Sequence, residues 1–438
     1  MSSLSQPFGA APGLLGVDAN ADAGILAVMT YEPANVGDEV QRWFGPGVAG
    51  IGTASLLADA GHEIPTALLP SLVTSTLHGP AAALGLIEGI SDGLAGVARL
   101  AGGGLADDSR RRRAVAVGGY ASTAVLSAAI GAATSVWQVG LLRAGAWVAR
   151  GLRVPARNAL LADVVPPSAY GRAYGFERMM DNVGAIVGPL LALGLVAAVG
   201  VRWAIGLSVI PGLMAAGAIV YAIRKTRVPT AAERVPFRIR VRPVLSGRLG
   251  SLLGAVAAFE VGNVAATLLI LRATEVLVPT HGVDVATTVA IGLYVAYNAT
   301  AALVSMPAGR LSDRLGRSGP VWVLGGGVVA FSVAYAGFAF GPASALLLAV
   351  PFVLSGVGIG CVETSEHAAV AAYAPVDLRG SAFGLLAFIQ AAGNLAASAI
   401  AGLLWTVVSP TAAFAYLVVW MLVALGGLAL TQRRRSAR

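Results

Sequence analysis

Two short patterns each occur twice in this chain of 438 residues, about half a chain apart. The first places Gly103 and Asp107 ahead of Arg110, Arg111 and Arg112, and returns 206 residues later as Gly309 and Asp313 with Arg310, Arg314 and Arg317. The second places Pro166 ahead of Gly171, Ala173, Tyr174 and Gly175, and returns 209 residues later as Pro375, Gly380, Ala382, Phe383 and Gly384. Two independent patterns with nearly equal offsets imply a duplicated half. All four copies sit between strongly apolar segments, the layout of a two-bundle membrane transporter.

Charge supports that reading. Only 12% of residues are charged and 56% are hydrophobic, with mean hydropathy +0.76; a soluble domain carries about 25% charged residues. The charges cluster, and the runs between them are about 20 residues long, enough to cross a bilayer as helices. In hydrocarbon a span must satisfy its own backbone, so runs of this length are helical. Twelve spans are expected, at 47–72, 78–100, 114–135, 137–160, 172–199, 202–223, 249–272, 286–307, 319–340, 343–365, 380–404 and 409–430. The fold class is an all-α integral membrane protein of two pseudo-symmetric six-helix bundles, residues 46–223 and 249–430. A central loop, 224–248, joins them and reads as a tether; tails 1–45 and 431–438 flank them.

Orientation follows from the arginines. With the N-terminus inside, 22 positive residues fall on the cytosolic side, among them Arg42, Arg110 to Arg113, Arg227, Arg234 and Arg433 to Arg435, against two, Arg202 and Arg272, on the other. Loops rich in Lys and Arg stay cytosolic, so both termini and the central loop are expected there, in a multi-pass protein of the inner (plasma) membrane. The net charge of +8 is accounted for by this placement and does not point to nucleic acid. No basic segment followed by an apolar one opens the chain, so no cleavable signal peptide is expected. The single cysteine, Cys361, excludes an intrachain disulfide and reads as packing.

These residues resemble the major facilitator superfamily of secondary transporters over about residues 45 to 430. Gly309 to Arg317 is similar to the motif that family carries between helices 8 and 9. The copy between helices 2 and 3 departs, with Asp108 in place of a basic residue and Arg110 in place of a glycine. Helix 5 resembles the family's antiporter motif through Gly175, Gly184, Gly188 and Pro189, although Ala192 and Leu193 replace its final glycine pair. The resemblance implies alternating access, a monomer, no cofactor and no enzymatic activity. The antiporter motif favours export over import, although glycines at this spacing also let two helices approach closely.

Ionisable residues inside spans are the main functional clue, because each costs about 2.5–3.5 kcal/mol at a helix centre. They must face water, pair, or be protonated. Asp59, His62 and Glu63 share one face of helix 1; Glu88 lies on helix 2; Arg143 and Arg150 lie seven residues apart on helix 4 as natural partners for them. Glu260 and Asn263 on helix 7 and Gln390 and Asn394 on helix 11 would line the cavity from the other half. These ten are the expected coupling and substrate residues. The expected cytosolic gate comprises Asp92, Arg99, Asp107, Arg111, Arg153, Arg157, Glu177, Arg178, Asp181, Asp313, Arg314, Arg317, Glu363, Glu366, His367 and Arg379. In it the Asp107 and Asp313 loops would form charged pairs, and Glu366 would latch onto Arg157. No spacing supports a metal site, and no phosphate-binding loop or nucleophile triad is present.

The expected function is a proton-coupled antiporter exporting a small amphipathic or cationic compound. A proton symporter importing a small solute or anion is the alternative, and a transporter-fold sensor without turnover is the reading from another class.

Overall fold

In the computed structural model the described residues are 43–226, 236–340 and 344–436. The N-terminal tail up to Arg42, and Arg227, Arg234 and Arg438, lie outside them. The first half holds α1 (Pro46–Pro70), α2 (Ala81–Ala106), α3 (Ser109–Ala129), α4 (Val136–Asp163), α5 (Tyr170–Leu207) and α6 (Val209–Lys225). The second holds α7 in two pieces (Gly247–Val261 and Ala266–His281), α8 (Val283–Arg314), α9 (Gly319–Phe340), α10 (Ala345–Tyr373), α11 (Arg379–Val407) and α12 (Pro410–Ser436).

Among the described residues, eight segments are long and apolar enough to cross a membrane by composition alone, and one of them, Pro167–Lys225, holds two spans. Those two meet at Gly200, whose φ of 78° reverses the chain in a backbone region open to glycine. The three further helices, α1, α2 and α4, carry Asp59 and Glu63, Glu88, Asp92 and Arg99, and four arginines respectively. Charged residues inside these three spans set them apart from the eight.

Helix 7 departs from a single run. It breaks over 262–265, between Val261 and Ala266. Asn394 donates to the Asn263 carbonyl at 2.9 Å, and the Ala265 N–H donates to Ser398 at 3.0 Å. Polar residues of α11 thus satisfy backbone groups that hydrocarbon would leave unpaired.

The first repeated pattern also lies differently from the expected loops. Gly309 to Arg314 is the last turn and a half of α8, and Arg110 to Arg113 opens α3. The α2–α3 connection is only Asp107 and Asp108. Asp108 caps α3 by accepting from the N–H groups of Arg110 and Arg111, at 2.8 and 3.3 Å. The second loop turns through Gly316 at φ 66°, whereas the first needs no left-handed residue, which is why Arg110 is tolerated there.

Within the first half α1 packs on α5 and α6, and α2 on α4; within the second α10 packs on α8 and α9. The halves meet along α2–α11 and α5–α8. Under the duplication α2 corresponds to α8 and α5 to α11, so the two seams are related by the pseudo-twofold.

Candidate functional site

A cavity of about 560 Å³ lies between the halves. Fifteen of its twenty lining residues are polar or charged, and none is Phe, Tyr or Trp. Apolar ligand pockets are lined mainly by hydrophobic and aromatic side chains, so this one suits a hydrophilic solute.

The first half supplies the arginines. Arg150 on α4 meets the Asp59 carboxylate at 3.3 Å, and His62 approaches the same oxygen at 3.1 Å and Glu63 at 3.2 Å. Trp147 donates its indole N–H to Asp92 at 2.7 Å. Deeper toward the arginine-rich ends, Arg157 meets Glu177 at 2.8 Å and Asp181 at 3.4 Å, and donates to Ser55 at 2.9 Å. Arg178 closes this ring on Glu177 and Asp181, at 2.7 and 3.2 Å. Asp59 and Asp181 both line the cavity wall.

The second half supplies acids and amides. Glu260 sits at the α7 break and accepts from Asn263 at 3.1 Å. Glu363 faces Arg178 across the halves at 3.9 Å. Glu366 is fully buried, accepts from Gln390, and lies 3.7 Å from His367.

The hydrogen bonds and ion pairs that join the halves lie at or beyond the level of Arg99 and Arg178, toward the arginine-rich ends. Asp313 accepts from the Gly171 and Arg172 backbone N–H groups at 2.8 and 3.0 Å and from the Arg172 side chain at 2.8 Å. Asp107 accepts from the Ser381 N–H at 2.8 Å and its hydroxyl at 2.5 Å. Each aspartate therefore sits on the N-terminus of a helix in the other half, where free N–H groups and the helix dipole favour an anion. Burial pushes the Asp107 carboxyl above its ordinary range, and the Ser381 hydrogen bonds pull against that. Arg379 donates to Asp163 at 3.4 Å and to the Tyr170 hydroxyl at 2.6 Å. Toward the other ends the halves part. The α2 stripe that meets Ala391 of α11 at Gly96 continues through Gly85, Gly89 and Gly93, which have no neighbour within 4 Å of a built Cβ.

The expected cavity set divides. Asp59, Arg150, Glu260, Asn263, Gln390 and Asn394 line the cavity. His62 and Glu63 stand behind Asp59. Glu88 and Arg143 pair with each other at 3.1 Å outside the lining, with Arg143 only 1% exposed. From the expected gate set, Asp92, Arg99, Arg153, Arg157, Arg178, Asp181, Glu363 and His367 also line the cavity, so they are shared between chamber and seal. Glu177 lies just beneath it.

Several expected contacts are corrected. Among the described residues Asp107 forms no charged pair in the seal but takes helix-terminal hydrogen bonds. Arg111 reaches only Asp108 of its own loop, at 3.9 Å, while the buried arginine of that run is Arg112, which pairs with Asp163 and donates to the Ala106 carbonyl. Arg314 and Arg317 stay exposed. Glu366 does not latch onto Arg157, whose partners are in its own half. Gly184 and Gly188 sit where α5 crosses α1: a Cβ at Gly184 would meet the Leu56 carbonyl at 2.6 Å, and one at Gly188 the Ala60 carbonyl at 3.0 Å. Close packing therefore accounts for them. Ser381, Tyr170, Asp163, Ser55 and Trp147 were not singled out. The first two adjoin the second repeated pattern, and that neighbourhood was their only signal.

Two pseudo-symmetric six-helix bundles around a polar midplane cavity, sealed on one side by contacts between the bundles, define a multi-pass membrane transporter. The chain belongs to the Major Facilitator Superfamily, whose sequence profile matches residues 51–292 and 251–438. It is 27% identical over 380 residues to an uncharacterized MFS-type transporter of Methanocaldococcus jannaschii, covering 84% of this chain and 90% of the relative. It is 27% identical over 396 residues to an uncharacterized protein of Mycobacterium tuberculosis, covering 89% and 92%. Among solved structures, the human organic anion transporter MFSD10 superposes with TM-score 0.66 at 15% identity, over 87% of this chain and 99% of that one. A bacterial homologue of the iron transporter ferroportin in an outward-facing state gives 0.66 at 16%, over 90% and 100%. The E. coli fucose:proton symporter gives 0.64 at 15%, over 88% and 98%. At these identities the solved structures speak for the fold alone.

Proposed function

We propose that this protein is a proton-coupled antiporter of the inner membrane that exports a small, hydrophilic, charged organic compound by alternating access. The observation that carries it is that Asp59 and Asp181 stand on one cavity wall, each held by arginine: Asp59 by Arg150 at 3.3 Å, and Asp181 by Arg157 at 3.4 Å and Arg178 at 3.2 Å. A carboxylate on this wall that takes up a proton no longer holds its arginine. Loss or gain of that proton changes how firmly Asp181 holds Arg178, and Arg178 faces Glu363 across the seam. A proton taken up there is thereby linked to the seal between the halves. Glu63 and Glu88, away from the lining, serve as supports of this group.

With the arginine-rich ends cytosolic, the conformation described here is open to the outside, the state in which an exporter releases its cargo and takes a proton. Both termini are then cytosolic, and the transporter works as a monomer. The polar lining argues against a strongly amphipathic cargo.

The test is transport in proteoliposomes containing a pH dye, with imposed gradients of cationic, anionic and zwitterionic compounds. Proton movement opposite to a compound is expected, and Asp181→Asn should abolish pH-driven flux while leaving the protein folded. Proton movement with the compound would reverse the direction. Undiminished coupling in Asp181→Asn would remove Asp181 from the mechanism.

A further inference from the structure

The wall of the large cavity is divided by charge as well as by half. All five arginines in the lining, Arg99, Arg150, Arg153, Arg157 and Arg178, come from the first half. The second half contributes Glu260 and Glu363 and no arginine or lysine. Arg150, Arg157 and Arg178 each hold a carboxylate within 4 Å, and Glu363 faces Arg178. Asp92 is exposed and takes the Trp147 indole N–H. Three charges of the lining are left over: Arg99, Arg153 and Glu260. Among the described residues, none of them has an opposite charge within 4 Å.

Water does little for two of the three. Arg153 is 3% exposed and Glu260 is 4% exposed. The Arg153 guanidinium lies 3.9 Å over the Tyr120 ring, and its Nε has no hydrogen-bond partner among the described residues. A ring face offsets only part of what burying a cation costs. Glu260 accepts from Asn263 at 3.1 Å, and α11 presses on it so closely that a Cβ at Gly393 would fall 2.4 Å from the Glu260 Cβ. Around it the amides are turned to accept. Asn263 directs its N–H at Glu260 and Asn394 directs its N–H at the Asn263 carbonyl, which leaves the side-chain oxygen of each as an acceptor. The first half therefore offers donors with positive charge, and the second offers acceptors with negative charge. A bare anion would answer Arg153 and leave Glu260 stranded. A bare cation would answer Glu260, leave Arg153 stranded and face five arginines.

We infer that the cargo is a small zwitterion of amino-acid type, with its acid group on Arg153 and Arg99 and its ammonium group on Glu260. The assignment rests on the large cavity being the cargo site, and names the chemistry that site selects. An ammonium has three donors, and Glu260 with the Asn263 and Asn394 oxygens supplies three acceptors. The two ends of such a cargo bind different halves, so it draws the halves together on the side where they now part.

The experiment is calorimetric titration of the purified full-length protein in detergent with the common α-amino acids and with ω-amino acids of increasing length. For each zwitterion that binds, two analogues follow: the amide, which keeps the ammonium and lacks the acid, and the desamino acid, which keeps the acid and lacks the ammonium. Each should bind about 30-fold or more weakly, because it strands one buried charge. Glu260→Gln should lose affinity for the zwitterion and the amide but leave the desamino acid unchanged or tighter. Arg153→Gln should lose the zwitterion and the desamino acid and spare the amide. A merely structural role at either position would weaken all three alike. If Arg153→Gln fails to fold, Glu260→Gln and the analogues still decide. Binding of no zwitterion, or of an analogue as tightly as its zwitterion, would overturn the proposal. Binding needs no pH gradient, so the two readings fail separately. A zwitterion bound here and moved without protons would sink antiport alone, and proton-coupled export of a singly charged compound would sink the zwitterion alone.

Discussion

Among the described residues, Arg143 is the largest side chain that is fully buried. Its charge is held by Glu88 at 3.1 Å and by the Thr66 hydroxyl at 3.1 Å, with the guanidinium 3.4 Å over the Trp147 ring. Removing one partner of a buried pair costs about 3–5 kcal/mol, because the other charge stays behind. Glu88 is 34% exposed on its side chain, so Glu88→Ala should lie at the low end, about 3 kcal/mol, read as a lowered unfolding midpoint. Adding Arg143→Met should recover most of it, since no charge is then stranded; a double variant no better than the single would show the pair is not the source. The sequence made Arg143 a partner for helix 1 or helix 2 acids, because charge inside a span has few alternatives. It could not choose among Asp59, Glu63 and Glu88. Which acid is reached depends on the rotation of α4 against α1 and α2, and that is a tertiary quantity. For the same reason Glu366 was assigned to Arg157: the duplication aligned their positions, but burial in the second half gave Glu366 to Gln390.

At the scale of elements, α5 is shaped by small residues. A Cβ at Gly184 would lie 3.0 Å from the Asp59 Cβ and 2.6 Å from the Leu56 carbonyl, and one at Gly188 would fall on Glu63 and the Ala60 backbone. Overpacking a tight contact costs about 1–3 kcal/mol. Gly184→Ala and Gly188→Ala should each destabilise by that amount and impair transport together with stability, since they pry α1, with Asp59, from α5, with Asp181. Gly194→Ala is the internal control. It meets nothing within 4 Å and should be neutral or stabilising by up to about 1 kcal/mol. Equal effects at all three positions, measured by thermal unfolding in detergent, would refute the packing argument. Eleven of the spans were legible as helices because bilayer thickness fixes their length. The α7 break was not, because Gly262 and Asn263 are ordinary in an apolar run. What permits the break is a set of partners on α11, 131 and 133 residues away.

The whole molecule is organised by the two repeated patterns, which are each other's partners across the pseudo-twofold. Asp107 of one first-pattern copy meets Ser381 beside Gly380 of the second pattern, and Asp313 of the other copy meets Gly171 and Arg172. The glycines are required by proximity: a Cβ at Gly171 would lie 2.7 Å from an Asp313 carboxylate oxygen. The duplication was readable from spacing, but this crosswise docking was not, because symmetry in sequence does not say which copies touch. It follows that the two latches act in parallel on one equilibrium. Losing one should shift the protein partly, and losing both should shift it further, toward the state sealed on the opposite side. In a Cys361→Ser background, a single cysteine replacing the cavity residue Asn394 should react with a membrane-impermeant maleimide applied from the side opposite the arginine-rich ends. Asp107→Ala/Asp313→Ala should slow that labelling and open the residue to reagent applied from the arginine-rich side, with each single variant between. Each latch removes two or three hydrogen bonds to a charged acceptor, worth about 1.5–3 kcal/mol apiece, and roughly 5.5 kcal/mol carries a two-state equilibrium from 1:99 to 99:1. The pair therefore suffices to reverse the preference. Labelling that keeps its sidedness in the double variant would mean that the Arg178–Glu363 contact and the packed seams hold the closure without them.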